Sequence, residues 1–451
     1  MTVAIAPTGD IERIVAEEQA RHPIPGVSIG IVAGDEELTA AFGVTNVDHP
    51  LPVDADTLFQ IGSITKTFLG TLVMKLVEEG TLDLDDPVRR WVPELKLRDE
   101  DAATRVTLRH LLTHTAGWFG DHFADFGSND DALAKYVASM AELEQQVPLG
   151  TQWAYNNAAF ALAGRVVEVA TGRPVEDAMR ALLFVPLRLK RTFFFADEVI
   201  TYRVAAGHNV FDGAPRVVRP WALPRASDCV GGIVSTVPDL LRYARFLMGD
   251  GTTADVMRYL SASTVDLMRS PLVQGPLGQH RGIAWSVEDV GGVRIIGHGG
   301  ATFGQQAMLW IAPAKRFAIA MLTNSSEATQ LQNAITRWSW DRYLGVRRPV
   351  VEPRPFTNEE AERVVGTYSN TSSELRIAFD EGLLILHQQP RESGWRKLMK
   401  EPPPIPKPVE LAFSRPDRLL LLGGPVEGSQ IELLSPEWVR FGSRLYRKES
   451  A

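Results

Sequence analysis

The chain has 451 residues, 45% apolar and 23% charged, with 55 acidic against 47 basic residues and a net charge of −8. These are globular values, and the length exceeds what one hydrophobic core usually serves, so two or three domains are expected. The acidic balance and scattered basic residues argue against nucleic acid or an anionic membrane as partner, and no run approaches the roughly 20 apolar residues of a membrane helix. The N-terminal "MTVAIAPTGDIERIVAEEQA" carries no basic leader or long apolar run, so a soluble, cytoplasmic protein is expected. A single cysteine, Cys229, permits no intrachain disulfide. In "SDCVGG" it reads as core filler, because no positive microenvironment adjoins it.

In chain order, residues 27–32 and 37–42 are short strand-like runs joined by "AGDE", which predicts an antiparallel hairpin. The run 64–79 sets Ile64, Phe68, Leu69, Leu72, Val73, Leu76 and Val77 at helical spacing and stops at Gly80, as a buried helix would. Residues 91–248 read as mostly helical, inside a helical subdomain placed at about 91–270. Loops fall at "HTAGWFGDHF" and "RTFFFADEV", and a clear helix over 158–170 ends at Thr171-Gly172. Strand signals return over 282–324, in "GGVRIIGHGG", "QQAMLWIA" and "RFAIAMLTN", and a helix over 327–344 follows. Prolines 349, 353 and 355 mark "GVRRPVVEPRPFTNEE" as a linker. Beyond it, "LRIAFDEGLLILHQ", "RLLLLGGPVEGSQIELLS" and "WVRFGSRLYRK" alternate as a small all-β barrel or sandwich would. The expected division is a domain over 1–346, a linker over 347–360 and a β domain over 361–451, without internal repeats of solenoid period.

Within "FQIGSITKTFLG", Ser63 and Lys66 stand one helical turn apart, on one face. A serine hydroxyl attacks carbonyls poorly unless a base removes its proton, and an amine can do so where its surroundings depress its pKa. A serine at a helix start is equally an ordinary cap, so the pair alone decides nothing. Its company does: "YNN" at residues 155–157 precedes a predicted helix, and "HGG" at residues 298–300 follows a predicted strand.

S-x-x-K, Y-x-N and H-x-G in this order resemble the penicillin-binding-protein and class C β-lactamase-related serine hydrolases. The resemblance spans roughly residues 10–345 and extends to "LVEEGTLDLDDPV", "VTLRHLLTHTAG", "PLGTQWAYNNAAFALAGRVVEVATG" and "GGIVSTVPDLLRYARFL". It implies an α/β (α+β) fold, an antiparallel sheet flanked by helices with an inserted helical subdomain, and a lipocalin-like C-terminal β domain. It also implies that Ser63 is the nucleophile and Lys66 either the base or the group that holds Tyr155 ionised. Tyr155 would protonate the leaving group and Asn157 would orient the acyl side. His298 stands where many relatives have lysine and would assist Tyr155 or contact a carboxylate. The oxyanion hole would be the backbone N–H groups of Ser63 and Ala301, with Gly299 and Gly300 allowing close approach.

Other residues read differently. Tyr368-Ser369-Asn370 and His280-Arg281-Gly282 repeat two of the patterns, one in the C-terminal β region and the other ahead of "IAW" rather than closing a strand, so neither is expected at the site. His110 and His114 have the spacing of a metal pair without an evident third ligand; structural roles are expected, with no metal or cofactor. Trp118, Phe119, His122, Phe123 and Phe126 suit core or cleft wall. Arg444 and Arg447 would be solvated surface charges unless the β domain leans over the cleft, where either would clamp a substrate carboxylate.

His298 in place of lysine, the missing leader and the added β domain weigh against antibiotic hydrolysis. Three subgroups fit better: D-stereospecific peptidases with lipocalin-like domains, family VIII-type esterases, and penicillin-binding-protein-type thioesterases that cyclise peptides. The expected function is an acyl-enzyme on Ser63 whose peptide-like, D-residue-containing acyl group passes to water or to an internal amine. The substrate would be a small peptide or ester, which a carrier protein could deliver. A small-ester esterase or β-lactamase is the alternative on the same fold. A non-catalytic scaffold would be expected to have lost one of Ser63, Lys66 and Tyr155, and all three are present.

Overall fold

In the computed structural model, which describes residues 8–392 and 394–449, the first hairpin joins β1 (Gly26–Ala33) to β2 (Glu36–Gly43), pairing from Gly26 with Gly43 to Ala33 with Glu36. Residues 1–7 of the N-terminal segment, on which the reading of a missing leader partly rests, lie outside the described residues. Six later strands complete an antiparallel sheet: β3 (Val273–Gln274), β4 (His280–Arg281), β5 (Ser286–Val290), β6 (Val293–Thr302), β7 (Gln305–Ala312) and β8 (Phe317–Thr323). Their order is β2-β1-β8-β7-β6-β5-β4-β3. Strands from the two ends of the domain therefore meet at β1 and β8, and everything between residues 43 and 273 is inserted.

Period-two alternation sorts the side chains of the central strands onto two cores. Val27, Ile29 and Ile31 of β1 and Phe317, Ile319 and Met321 of β8 face a layer formed by α1 (Gly9–Gln19) and α5 (Thr329–Ser339). The opposite face presents small residues, among them Gly30, Ala318 and Ala320, to the larger helical core. That core contains α2 (Thr65–Glu78), α3 (Asn157–Thr171) and α4 (Val237–Met248). Small residues let α4 approach the sheet: a Cβ on Gly30 would lie 2.2 Å from Val237 Cγ1 and 2.8 Å from Leu241 Cδ1.

The helical region departs from expectation where Val234–Ser235 pairs with Phe59–Gln60 and where His208–Phe211 and Ala214–Val217 form a hairpin. Its turn is Asp212-Gly213, both with positive φ (50° and 78°), the conformation that Asp-Gly favours in two-residue hairpins. No helix among the described residues is long and apolar enough to cross a membrane.

The C-terminal strands, β9 (Gly366–Ser369), β10 (Ser373–Asp380), β11 (Leu383–Pro390), β12 (Val409–Arg415), β13 (Arg418–Leu421), β14 (Gln430–Leu433), β15 (Trp438–Phe441) and β16 (Arg444–Lys448), close in sequence order into a barrel. Closure through β9 and β16 leaves no open sheet edge. Ala361 and Val364, on the helix α6 (Asn358–Val364), join the barrel core. The segment expected as linker thus enters a helix in its last three residues, because Thr357 and Glu360 form a capping box just past the final proline.

Replacing Gly30 with alanine is expected to lower stability by roughly 1–3 kcal/mol through overpacking against α4. Urea unfolding of Gly30→Ala checks this; an unchanged midpoint would mean that α4 is not pressed against the sheet.

Candidate active site

Ser63 lies in a single 3-10 turn, Gly62–Ile64, that leads into α2. Eleven of the fourteen residues of α2 are buried, so the helix is surrounded by core on nearly every side. Two of its threonines bond back into the helix, Thr67 Oγ1 donating to the Ile64 carbonyl (2.8 Å) and Thr71 Oγ1 to that of Thr67 (2.9 Å), while Thr65 Oγ1 accepts from Ile233 N (3.2 Å). Lys66 has no exposed surface. Its Nζ donates to the Val230 carbonyl (2.8 Å) and to Ser63 Oγ (3.2 Å), both neutral acceptors. Burial, helped by the Arg444 charge, pushes its pKa well below the usual lysine range.

In the Tyr155-Asn156-Asn157 run, the middle residue is the helix cap. Asn156 Oδ1 accepts from Ala159 N (2.8 Å), and its Nδ2 donates to the Trp118 carbonyl (2.8 Å). Capping by Asn156 leaves Tyr155 and Asn157 on either side to reach the cavity. His114, one of the two histidines with metal-like spacing, accepts from Asn156 N at Nδ1 (3.0 Å) and stacks on the Tyr155 ring (centroids 4.4 Å). His110 closes a capping box with Thr107. The Lys66 amine stands 5.0 Å from the Tyr155 ring centroid. Burial raises the Tyr155 pKa well above the usual phenol value, with the Ser63 side chain and Arg444 pulling weakly the other way. The phenol therefore holds its proton, and among the described residues no group lies in good hydrogen-bond geometry to its hydroxyl, Ser63 acting on it only weakly.

The strand β6 brings the third motif. A Cβ on Gly300 would sit 1.9 Å from the Ile61 carbonyl and 3.1 Å from Ser63 N, and one on Gly62 (φ +52°) would sit 2.5 Å from Ala301 N. Only glycines permit this contact between strand and turn, which sets the backbone of Ser63 beside that of Ala301. His298 Nδ1 donates to the Gly299 carbonyl (2.5 Å), leaving Nε2 as the acceptor. Burial, with the charges of Lys66 and Arg281, lowers its pKa to about 3, so the ring is neutral.

All these groups line one cavity of about 750 Å³ that also receives Trp395 and Arg444 from the barrel domain. Arg444 makes a two-point ion pair with Asp121 (2.8 and 3.0 Å) and lies 4.7 Å from the Tyr155 ring centroid. Asp121 also accepts from Asn157 Nδ2 (2.7 Å), and the Ser443 carbonyl accepts from Tyr155 N (2.9 Å). Burial acts to raise the Asp121 pKa, but Arg444 and Asn157 outweigh it and hold the carboxyl below its ordinary value.

Of the residues expected at the site, Ser63, Lys66, Tyr155, Asn157, His298, Gly300, Ala301 and Arg444 meet at this cavity. Arg447 does not: it is exposed and pairs with Glu437 (3.6 Å). Three residues along a strand from Arg444, it projects from the other face. Arg444 is also already held by an acid of the protein, which the sequence reading did not foresee. Tyr368 is buried in the barrel and donates to the Val364 carbonyl (3.0 Å). Phe123 forms cavity wall, whereas Trp118 and Phe119 are buried in the fold. Sequence reasoning missed Asp121 and Arg281; Asp121 meets Arg444 across 323 positions, a separation that leaves no local pattern.

A hydroxyl, an amine whose charged form burial disfavours and a protonated phenol thus converge beside two backbone N–H groups, an arrangement suited to nucleophilic attack on a carbonyl. Comparison with known proteins agrees. The chain is 35% identical over 363 residues to penicillin-binding protein 4 of Amycolatopsis lactamdurans, covering 78% of this chain and 94% of that protein. A crystal structure of SurE superposes with a TM-score of 0.73 at 25% identity, covering 97% and 98% of the two chains, and one of SurE with D-Leu also gives 0.73, at 22% identity and 98% and 99% coverage. The beta-lactamase family model matches residues 11–341. The protein belongs to the beta-lactamase family, with a penicillin-binding-protein homologue, and carries a closed eight-stranded barrel behind the family's fold.

Proposed function

We propose that the protein forms an acyl-enzyme on Ser63 and passes the acyl group of a peptide-like, D-residue-containing ester, thioester or amide to water or to an internal amine. One observation carries this reading: Lys66 Nζ lies 3.2 Å from Ser63 Oγ in a buried setting whose other hydrogen-bond acceptor among the described residues is the Val230 carbonyl. Desolvation favours the uncharged amine, and an uncharged amine can take the serine proton. Of the two roles the family allows Lys66, the base is the one this setting supports, because a phenol buried like Tyr155 resists ionisation.

As Ser63 Oγ bonds to the carbonyl carbon, its proton moves to Lys66 Nζ, and the carbonyl oxygen gains charge facing the N–H groups of Ser63 and Ala301. When the tetrahedral intermediate collapses, the bond to the leaving group breaks and Tyr155 supplies its proton. The proton on Lys66 then restores Tyr155. Neutral His298, with Nε2 free, and Asn157, held by Asp121, line the channel for the substrate. The D-residue preference is supported by likeness to SurE, a structure of which contains D-Leu. A peptide-sized substrate is supported by the volume of the cavity and by barrel residues in its wall.

A fluorophosphonate or β-lactam probe should add its mass to the wild-type protein and not to Ser63→Ala; an unmodified wild-type protein would sink the enzyme reading. Lys66→Ala should slow acylation by about 10²–10⁴, the usual range for a general base. The reactive form is the deprotonated amine, so acylation should fall as pH drops through the Lys66 pKa. Since that pKa is lowered, the falling limb should lie below the ordinary lysine range, near 10.4, and a limb at or above it would remove Lys66 as base. Incubation with a linear peptidyl thioester ending in a D residue, read by mass, separates the two fates: loss of the thiol alone means cyclisation, and the free acid alone means hydrolysis.

A further inference from the structure

The turn Asp228–Gly232 packs against α2 and against the 3-10 turn that carries Ser63. Its Val230 carbonyl takes the Lys66 amine (2.8 Å), and Val230 and Gly231 line the cavity. Just past it, the Ile233 carbonyl accepts from Ile61 N (2.9 Å) and Ile233 N donates to Thr65 Oγ1 (3.2 Å). One segment is thus bonded to the chain on both sides of the serine. A turn that sets the acceptor of a buried amine must itself be anchored, because a carbonyl that drifts breaks that bond and lets water reach the amine.

The anchor is an acid. Asp228 is 5% exposed, and its carboxyl folds back over its own turn, where a Cβ on Gly232 would lie 2.4 Å from Oδ1. It stands within hydrogen-bond reach of Glu176, a buried residue of the short helix Val175–Met179. Glu176 Oε1 accepts from Arg225 Nε (3.3 Å), but Glu176 Oε2 is buried without a partner among the described residues. Arg225 is committed elsewhere with its remaining nitrogens: Nη2 pairs with Asp130 (2.7 Å) and Nη1 donates to the Ser128 carbonyl (2.6 Å). Around the pair, Glu198 is held by Arg180 (2.6 Å) and Glu168 by Arg165 (2.9 Å). Burial pushes the adjacent Cys229 thiol up, so it stays neutral.

Two carboxyl groups buried side by side, with one guanidinium already divided between Glu176 and Asp130, cannot both ionise. Burial, reinforced by the Glu176 charge, holds the Asp228 carboxyl well above the ordinary carboxylate range. Asp228 therefore carries the proton and donates it to Glu176, whose Oε2 is otherwise without a partner. A neutral acid links the helix Val175–Met179 to the turn that holds Lys66.

We propose that Asp228 is a positioning residue: as a neutral acid bonded to Glu176, it fixes the turn whose Val230 carbonyl holds the Lys66 amine. Its effect on catalysis rests on the acyl-enzyme reading above; the proton shared between Asp228 and Glu176 does not.

Two measurements test this. In the first, the rate at which a fluorophosphonate modifies Ser63 is followed against pH and normalised to the folded protein present. Asp228→Asn, whose amide can donate to Glu176 as the neutral acid does, should react within about threefold of wild type and keep the falling limb at the same pH. Asp228→Ala, which removes the donor, should react about 10- to 100-fold more slowly. Its limb should also move to higher pH, because a loosened turn hydrates the amine and restores its charge. A merely structural role would reduce the folded protein and leave the limb in place. Asp228→Asn reacting as poorly as Asp228→Ala, or an unmoved limb in Asp228→Ala, overturns the positioning role. In the second, urea midpoints of wild type and Asp228→Asn are compared across pH, which decides even where Asp228→Ala does not fold. The folded wild-type protein keeps a proton that an unfolded aspartate, with a pKa of about 3.9, has lost, so its stability falls as pH rises above that value. Asp228→Asn should therefore gain on wild type as pH rises; a constant gap means an ionised Asp228 and overturns the proposal. No modification of wild-type Ser63, with that gap still widening, overturns the acyl-enzyme reading and the catalytic role with it, but not the shared proton.

Discussion

The site depends on one buried amine. Lys66 sits in a helix that core residues enclose on almost every side, and among the described residues its amine is hydrogen-bonded to a hydroxyl and a carbonyl. In water such an amine would be protonated and useless as a base; here desolvation removes the advantage of the charge. The same burial keeps the Tyr155 proton in place. One physical cause thus acts in opposite directions on the two groups beside Ser63, lowering the pKa of the amine and raising that of the phenol, and the packing of α2 sustains it.

The second constraint is the barrel. Arg444 reaches Asp121, which in turn holds Asn157, while the Ser443 carbonyl takes the Tyr155 amide. The segment between β11 and β12 adds Trp395, packed between Phe123 (4.9 Å) and Phe303 (4.6 Å). The Lys400 amide is bonded to the Arg219 carbonyl (3.1 Å). The barrel is therefore part of the cavity wall and of the network that orients two motif residues, rather than an appendage on a linker.

Much of the fold was legible because its signals are local. The alternating runs that became β1, β2 and β6 to β8, and the helical spacing of α2 and α3, follow from short-range periodicity. The hairpin within the helical region escaped notice although Asp212-Gly213 is itself a hairpin signal. The Thr357 to Glu360 capping box was likewise absorbed into a proline-rich linker. At the site, Ser63, Lys66, Tyr155, Asn157 and His298 were readable through motif order. His110-x-x-x-His114 suggested metal spacing, yet one caps a helix and the other braces Tyr155. His280-Arg281-Gly282 read as a stray copy of a motif, and its middle residue lines the cavity.

By itself the sequence determined which residues could do chemistry, because a serine and a lysine one helical turn apart, a capped helix start and a glycine-rich strand end are all short-range patterns. Only the tertiary structure decided their states and company. Whether Lys66 is charged depends on side chains packed around it from distant parts of the chain. Whether Arg444 is a surface charge or Asp121's partner depends on a contact across 323 positions. Whether Arg447 belongs with it depends on which face of a barrel strand turns toward the cavity. Desolvation and long-range pairing are properties of a packed interior, and no stretch of sequence carries them alone.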